Sequence, residues 1–380
     1  VLLTGVTGFL GAHVLASFIK KENGIIYCLI RDKNGVPAEQ RLRDTLHFYF
    51  GDIYDGEIGR RIQVVRGNVR EYELGLTEEE YESLGAELNT VIHCAALVKH
   101  FGEYKEFEDT NIKGTQKIVD LCEKFNLRLM HISTISVSGN VFADGAYVDS
   151  NFEETVDYTE KNFYIGQNLE NLYIKSKFEA EKVILNAIAN GLEAYILRMG
   201  NLTNRYNEGK FQPNHFENAF VNRFRSILKI GCAPDYLLDM YTEFTPIDYA
   251  ADAVIALASH YNKKFSVFHL LNDNNVTLDR LYETMRKLGI SMEVVSHEDF
   301  VKKIDELLAN PVRKEDLNGI INDLDKDKKL VYDSSIRIKS DFSKKVLSDI
   351  GFEWPYIDTN YLYMYFKYFA DIGYFDFNLK

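Results

Sequence analysis

The sequence predicts a doubly wound α/β fold, a parallel sheet covered by helices, joined to a smaller, mainly helical C-terminal domain. Three observations carry this expectation. Short apolar runs alternate with amphipathic stretches through the first half, the first run passes through closely spaced glycines into a helical pattern, and the alternation breaks after about residue 204. The runs "VLLTG", "IIYCLI", "IQVVRG", "TVIHCAA", "LRLMHIST" and "EAYILRMG" are short and continuously apolar, as strands buried on both faces must be. Between them, "GAHVLASFIKKE", "NIKGTQKIVDLCEKF" and "NLYIKSKFEAEKVILNAIANG" carry apolar residues at helical spacing. Such alternation builds parallel strands connected by crossover helices. Later, "FTPIDYAADAVIALASH" and "KFSVFHLL" return to the sheet domain near 241–275. The expected division is therefore 1–204 plus 241–275 for the sheet domain and 205–240 plus 276–380 for a substrate-facing domain.

Composition narrows the function classes. The chain has 380 residues, 46% of them hydrophobic, enough for a substantial core. A net charge of -13 argues against a nucleic-acid partner, because phosphate backbones are bound by basic surfaces. No apolar run approaches the length of a membrane span, and the aromatic "YLYMYFKYF" is interrupted by Lys367. Cys28, Cys94, Cys122 and Cys232 form no C-x-x-C pair, and Cys28 and Cys94 fall in strand-like runs, so reduced thiols and a cytoplasmic location are expected. The nine histidines show no metal-ligand spacing, and no metal is expected. The abrupt start at Val1 suggests a domain taken from a longer polypeptide.

Within "VLLTGVTGFLGAHV", Gly5, Gly8 and Gly11 stand between a strand and a helix. Glycines allow a sharp turn and close approach of a pyrophosphate to the helix N-terminus, the signature of a Rossmann-like dinucleotide site. The second strand ends in "YCLIRDK". Arg31 there can grip a 2′-phosphate as a planar fork, with Arg41 as a second cation, which favours NADP; Asp32 beside it is the alternative acceptor for the ribose hydroxyl of NAD.

Tyr173 and Lys177 stand four residues apart in "NLYIKSKFEAEKVI", on one helical face. An ammonium beside a phenol is expected to lower the phenol's pKa towards a value useful in proton transfer. The same spacing recurs at Tyr363 and Lys367, but only Tyr173 follows a strand ending in hydroxyls, "LRLMHISTISVSGN". Thr134 there can bind the same substrate oxygen as Tyr173. Ser133 and Ser136 are read as packing or hydration, and Tyr363 as packing.

Together, "TGVTGFLG", "CAA" at 94–96, "NIKGT" at 111–115, "HIST" and "YIKSK" resemble the extended short-chain dehydrogenase/reductases. More narrowly, "IIYCLIRD", "RLRDTLHFYF", "AALVKHFG", "IGQNLENLYIKSKFEAEKVI" and "LRMGNLTNR" resemble the terminal thioester reductase domains of nonribosomal peptide synthetases and the related carboxylic acid reductases. The likeness covers about residues 1–250. It implies a catalytic triad of Thr134, Tyr173 and Lys177, with Lys177 also holding the nicotinamide ribose. It implies Gly5, Thr7, Gly8, Phe9, Leu10 and Gly11 at the pyrophosphate, Arg31 and Arg41 at the 2′-phosphate, Asn68 and Val69 at the adenine, and Ala95, Ala96, Leu97 and Asn111 along the cofactor's middle. Asn68 stands where many relatives have Asp.

The resemblance further implies NADPH-dependent release of a peptidyl or acyl thioester as an aldehyde, with further reduction to an alcohol in some relatives. The partner would be a carrier protein bearing a phosphopantetheine arm, within the same polypeptide, and the excised domain would be a monomer. Lys326, Lys328, Lys329, Arg337, Lys339, Lys344 and Lys345 are read either as a docking face for an acidic carrier or as an ordinary solvated run. Met240, Tyr241 and Phe244 are candidates for the substrate pocket or for core. Competing readings are a nucleotide-sugar epimerase, a fatty acyl-CoA reductase, a thioester cyclase and a non-catalytic NADP-binding sensor.

Overall fold

The structure, a computed structural model, describes residues 1–99, 102–143, 155–310, 313–330 and 335–375. Its chain divides into two compact units: Val1–Leu202, Ile247–Leu271 and Ser335–Glu353 in one, Thr203–Pro246, Asn272–Ser334 and Trp354–Lys380 in the other.

In the first unit, six apolar runs become strands β1 (Leu2–Thr4), β2 (Ile26–Ile30), β3 (Ile62–Arg66), β4 (Thr90–His93), β5 (Arg128–Thr134) and, after a short β6 (Val156–Tyr158), β7 (Ala194–Met199). With the strand Phe265–Leu270 they form a seven-stranded parallel sheet ordered (265–270)-β7-β5-β4-β1-β2-β3. The order reverses between β1 and β4, so the carboxyl ends of these strands part to leave a crevice, the position where such sheets bind ligands. Cys94 falls one residue beyond β4 and is half-buried, rather than inside a strand as its apolar run suggested.

Helices α1 (Phe9–Lys21), α2 (Ala38–Phe50), α3 (Glu78–Glu87), the short α4 (Tyr104–Phe107), α5 (Lys113–Phe125) and α6 (Leu172–Ala189) provide the crossovers. On one face Val91, Leu129 and Ile196 of the sheet pack against Ile118 and Cys122 of α5 and Ile184 and Ala187 of α6. Helix ends are set locally. Thr77 and Glu80 form a reciprocal capping box on α3, and Asn126 closes α5 in the left-handed region. Asn171 caps α6 by accepting from the N–H groups of Tyr173 and Ile174 at 3.0 and 3.2 Å, which fixes where that helix starts.

The first unit also holds a buried ion pair. Arg198 on β7 meets Glu181 on α6 at 2.7 Å, the two side chains 1% and 0% exposed. Both guanidinium edges are used: Nε reaches the carboxylate at 3.0 Å, and Nη1 donates to the Asn162 carbonyl at 3.0 Å. Glu181 accepts in addition from Ser133 Oγ at 2.5 Å. Three elements, β5, α6 and β7, thus share one carboxylate.

Residues 335–353, expected in the second domain, cluster with the first unit. The reason is strand pairing: Ile336–Ile338 lies parallel to β6, and Ser343 at the start of the helix Asp341–Asp349 bonds both the His269 N–H and the Glu160 carboxylate. Charged sequence concealed this, since two of the three residues of that strand are exposed.

The second unit is helical and aromatic. Phe224, Phe244, Tyr365, Phe366 and Phe369 interlock in edge-on and stacked pairs, among them Phe224–Phe244 with centroids 6.1 Å apart. Phe244 is therefore core, while Tyr241 is 66% exposed. The second Tyr/Lys pair is ordinary surface chemistry: Lys367 bonds Asp371 one turn on at 2.6 Å.

Glu181→Leu would strand a guanidinium in the core and is expected to cost about 3–5 kcal/mol. The double replacement Glu181→Leu with Arg198→Met is expected to lose less than Glu181→Leu alone, as read from midpoints of urea unfolding.

Candidate active site

The turn from β1 into α1 is shaped by backbone crowding. Gly5 has φ +73°, and a Cβ on it would lie 2.6 Å from the Ala95 nitrogen. A Cβ on Gly11 would lie 2.2 Å from the Gly5 oxygen, and the Gly8 N–H already donates to that oxygen at 2.9 Å. Neither Gly5 nor Gly11 can carry a side chain. Among the described residues no side chain caps α1 at Gly8, and no acidic residue stands in its first turn. An uncapped N-terminus behind a glycine cradle is a place for an anion, and this cradle fits the pyrophosphate of a dinucleotide. Thr7 and Phe9 flank it half-buried, with Leu10 buried behind.

Beside the cradle, Arg41 on α2 donates from Nη2 to Thr7 Oγ1 at 3.1 Å and from Nη1 to the Arg31 carbonyl. It ties the glycine turn to the end of β2. Burial and the nearby Arg31 lower its pKa from the ordinary value, the mark of two cations sharing a site. Asp32 is engaged elsewhere, accepting from the Ala38 N–H at the start of α2 at 2.8 Å. Asn68 accepts from the Arg70 N–H at 3.1 Å and turns the chain after β3, while Val69 is buried against Gly114. The amide of Asn68 serves that turn.

Ala95, Ala96 and Leu97 follow β4 half-buried. Asn111 holds them: its Oδ1 accepts from the Leu97 N–H at 2.7 Å, and its Nδ2 donates to the Leu97 carbonyl at 3.0 Å and to Ser176 Oγ at 2.8 Å. Asn111 sits in a π-helical turn, Glu108–Ile112, that precedes α5. The wider turn carries the amide towards α6, and such turns gather at functional sites.

Thr134 ends β5, where its hydroxyl donates to Ser136 Oγ at 3.2 Å and accepts from the Ser136 N–H at 3.2 Å, beside the half-buried Tyr173 phenol. Lys177, one turn further along α6 and 2% exposed, donates from Nζ to the Ile132 carbonyl at 2.6 Å and to His131 Nε2 at 3.2 Å. The structure thus brings the three expected residues to one sheet edge, but it corrects their electrostatics. Burial pushes the Tyr173 phenol up to about 12, with the Thr134 hydrogen bond opposing it, rather than down towards neutrality. Burial also draws the Lys177 ammonium down to about 8, against the opposing charges of Glu181 and Cys94. Tyr173 is accordingly a protonated donor at neutral pH, and Lys177 directs its hydrogens at β5.

Sequence reading missed the residues beneath this edge. His93, His131, Thr115, Ser176, Glu181 and Arg198 are buried polar groups, and for the strand residues a histidine or arginine interrupting an apolar run was the available signal. The basic stretch from 326 to 345 is divided between the two units, residues 331–334 lie outside the described residues, and Lys328 pairs with Asp305, Arg337 with Asp157 at 2.6 Å and Lys345 with Asp349 at 3.1 Å. Part of the "AALVKHFG" motif, residues 100 and 101, also lies outside the described residues.

Comparison with known proteins gives a consistent picture. The family model described as Male sterility protein, an NAD-binding domain, matches residues 3–254. A thiolation-reductase di-domain from an archaeal non-ribosomal peptide synthetase superposes with TM-score 0.86 at 32% identity, covering 99% of this chain and 76% of that one. The terminal R domain of the myxalamid biosynthetic pathway superposes with TM-score 0.81 at 25% identity, covering 99% and 91%. A linear gramicidin synthase polypeptide of Brevibacillus parabrevis is 28% identical over 307 residues, 80% of this chain. The chain spans only 6% of that protein, and 24% of the large L-2-aminoadipate reductase polypeptide of Candida glabrata, which it matches at 24% identity.

Gly11→Ala places a methyl group against the rigid Gly5 carbonyl and is expected to cost about 1–3 kcal/mol by overpacking. It should also weaken dinucleotide binding at least about tenfold in fluorescence titration. Gly24→Ala, whose added Cβ would meet only Phe18 at 3.5 Å, should change neither.

Proposed function

The chain belongs to the Male sterility protein family of NAD-binding domains, in company with the reductase domains of non-ribosomal peptide synthetases, and we propose that it uses NADPH to release a carrier-bound acyl or peptidyl thioester as an aldehyde. It is an NAD(P)-dependent oxidoreductase of Rossmann-like fold. The single observation that carries the finer reading is the meeting of Thr134, Tyr173 and Lys177 at the carboxyl end of β5, with β4 alone between that strand and β1 and its glycine cradle.

The residues present suit a nicotinamide dinucleotide. The uncapped start of α1 would receive the pyrophosphate, Asn111 holds the Ala95–Leu97 segment as a wall along its middle, and Lys177 would reach the nicotinamide ribose. When bound, NADPH supplies the hydride that reduces the thioester carbonyl carbon. Tyr173 and Thr134 act on the oxygen of that carbonyl. As it gains negative charge, the Tyr173 phenol, held protonated, donates to it, and the Thr134 hydroxyl offers a second donor. The tetrahedral thiohemiacetal then collapses. Its hydroxyl proton is lost, the carbon–sulfur bond breaks, and the sulfur leaves as the phosphopantetheine thiol with an aldehyde as the other product.

The choice of NADPH rests on the end of β2. Arg31 and Arg41 converge there, and one carboxylate oxygen of Asp32 is engaged by the start of α2, so two cations outweigh the acid that NAD recognition would use. The thiolation-reductase architecture of the archaeal relative supports a carrier protein in the same polypeptide as partner.

The deciding experiment follows NADPH absorbance with acyl-pantetheine thioesters or the loaded carrier. Thioester-dependent oxidation is expected, and Tyr173→Phe should lower kcat/KM by about 10²–10⁴. No oxidation with the loaded carrier would overturn the reading. The ratio of thiol released to NADPH consumed distinguishes aldehyde from alcohol as product. Arg31→Ala should raise KM for NADPH about tenfold while leaving that for NADH within about twofold, as expected for loss of one charge-assisted phosphate contact.

A further inference from the structure

We propose that His131 is a positioning residue for Lys177: a neutral imidazole, protonated on Nδ1, that accepts from the Lys177 side chain and so keeps that side chain charged and aimed along the sheet edge. The inference rests on the reading of Lys177 as a cofactor-holding residue.

Its basis is an unexplained polar group in the sheet. Residue 131 is fully buried in the middle of β5, where its neighbours Leu129, Met130 and Ile132 are all apolar. In register beside it stand His93 on β4 and Ile196 on β7, and His93 in turn pairs with Thr4 on β1. The row therefore runs Thr4, His93, His131, Ile196 across the centre of the sheet. Packing alone would be met by leucine or methionine at 131.

The hydrogen-bond directions in this row can be assigned in order. Thr4 Oγ1 accepts from the Ala95 N–H at 3.1 Å, so its own hydrogen is free to go to His93 Nδ1 at 2.7 Å. His93 then carries its hydrogen on Nε2 and donates to Thr115 Oγ1 at 3.2 Å, and Thr115 donates to the Asn111 carbonyl at 2.6 Å. His93 is satisfied within this chain and has no need of His131, whose ring centroid lies 5.5 Å away.

His131 is different. Its Nε2 meets Lys177 Nζ at 3.2 Å, and its Nδ1 has no hydrogen-bond partner among the described residues. A lysine ammonium only donates, so Nε2 must accept and Nδ1 must carry the hydrogen. A buried imidazole turned to Lys177 in this way is explained by what it does for Lys177. With the Ile132 carbonyl it gives the ammonium two acceptors on β5, which set the direction of the side chain.

The charge balance around Lys177 agrees. Facing it are Glu181 from its own helix, Cys94 beyond β4, His93 on β4 and His131 on β5. Burial and the Lys177 charge hold His131 well below the usual imidazole range, so it remains neutral while Lys177 is charged. Lys177, drawn down to about 8, is an ammonium below that pH and loses its proton as pH rises through it. Removing an acceptor disfavours the charged form, so the midpoint should move to lower pH.

The test measures NADPH binding by fluorescence across neutral to alkaline pH, with melting temperature recorded for each protein. In the wild type, affinity falls as Lys177 deprotonates. In His131→Leu the midpoint of that fall should move down by about one pH unit, which is on the order of tenfold in affinity on the alkaline side. His131→Gln, whose side-chain oxygen reaches as far as Nε2, should restore the wild-type profile, whereas His131→Asn, which is too short, should behave as the leucine variant. Equal midpoints in all four proteins would overturn the proposal, as would a glutamine variant displaced as far as leucine, since a packing role would not distinguish them by acceptor. If His131→Leu fails to fold, the contrast between asparagine and glutamine decides. Because the readout is cofactor binding, a shifted midpoint in a protein that reduces no thioester would uphold the positioning role and reject the thioester reading.

Discussion

The carboxylate of Glu181 is the constraint on which the arrangement of Thr134, Tyr173 and Lys177 depends. It lies one turn beyond Lys177 on α6 and binds both Arg198 on β7 and Ser133 on β5, all of them buried. Ser133 immediately precedes Thr134. One buried group therefore sets the height and rotation of α6 against the strand whose end carries the opposing hydroxyl. A hydrophobic contact could hold the helix close, but it would tolerate sliding. A bidentate ion pair with a third donor does not, because each displaced hydrogen bond leaves a desolvated charge. Burying the pair contributes little net stability of itself; what it supplies is register.

A second constraint operates at the other side of the crevice. Gly5 and Gly11 approach neighbouring backbone so closely that no other residue fits, and this brings β1, the start of α1 and the segment after β4 together. Asn111 closes the arrangement by holding Leu97 through both of its backbone groups and reaching Ser176 on α6. The segment after β4 and α6 are thus linked by one amide. Positions that differ by tens of residues in the chain are fixed relative to each other by hydrogen bonds that leave little freedom for side-chain rotation.

Electrostatics at the edge follow from burial more than from sequence proximity. A lysine one helical turn from a tyrosine invites the expectation of a depressed phenol pKa. Here the ammonium is drawn to the β5 carbonyl and to His131, while burial dominates the phenol and raises it. The outcome suits reduction, since a donor that is still protonated when the carbonyl oxygen gains charge is the one that can stabilise it. The row of Thr4, His93 and His131 shows the same principle, with hydrogen-bond direction assigned by which neighbour has already donated.

By itself the sequence determined the local events: seven apolar strands, three of the helices between them, the glycine turn and the Tyr173/Lys177 pair on one helical face. These follow from periodicity and from the backbone freedom of single residue types, properties of a few adjacent residues. It also distinguished Tyr173 from Tyr363 by the hydroxyl-ended strand upstream. What only the tertiary structure decided is whatever depends on residues distant in the chain. Ser335–Glu353 joined the first unit because a short, half-exposed strand found β6, a pairing with no local signal. Asp32 was found to accept from the N–H at the start of α2, and Phe244 became core through packing with Phe224. The buried polar groups at 93, 131, 181 and 198 acquired their meaning in the same way. A polar side chain in an apolar run is visible in the sequence, but its partner is chosen by the fold, because a buried polar group must be satisfied by whatever the chain brings beside it.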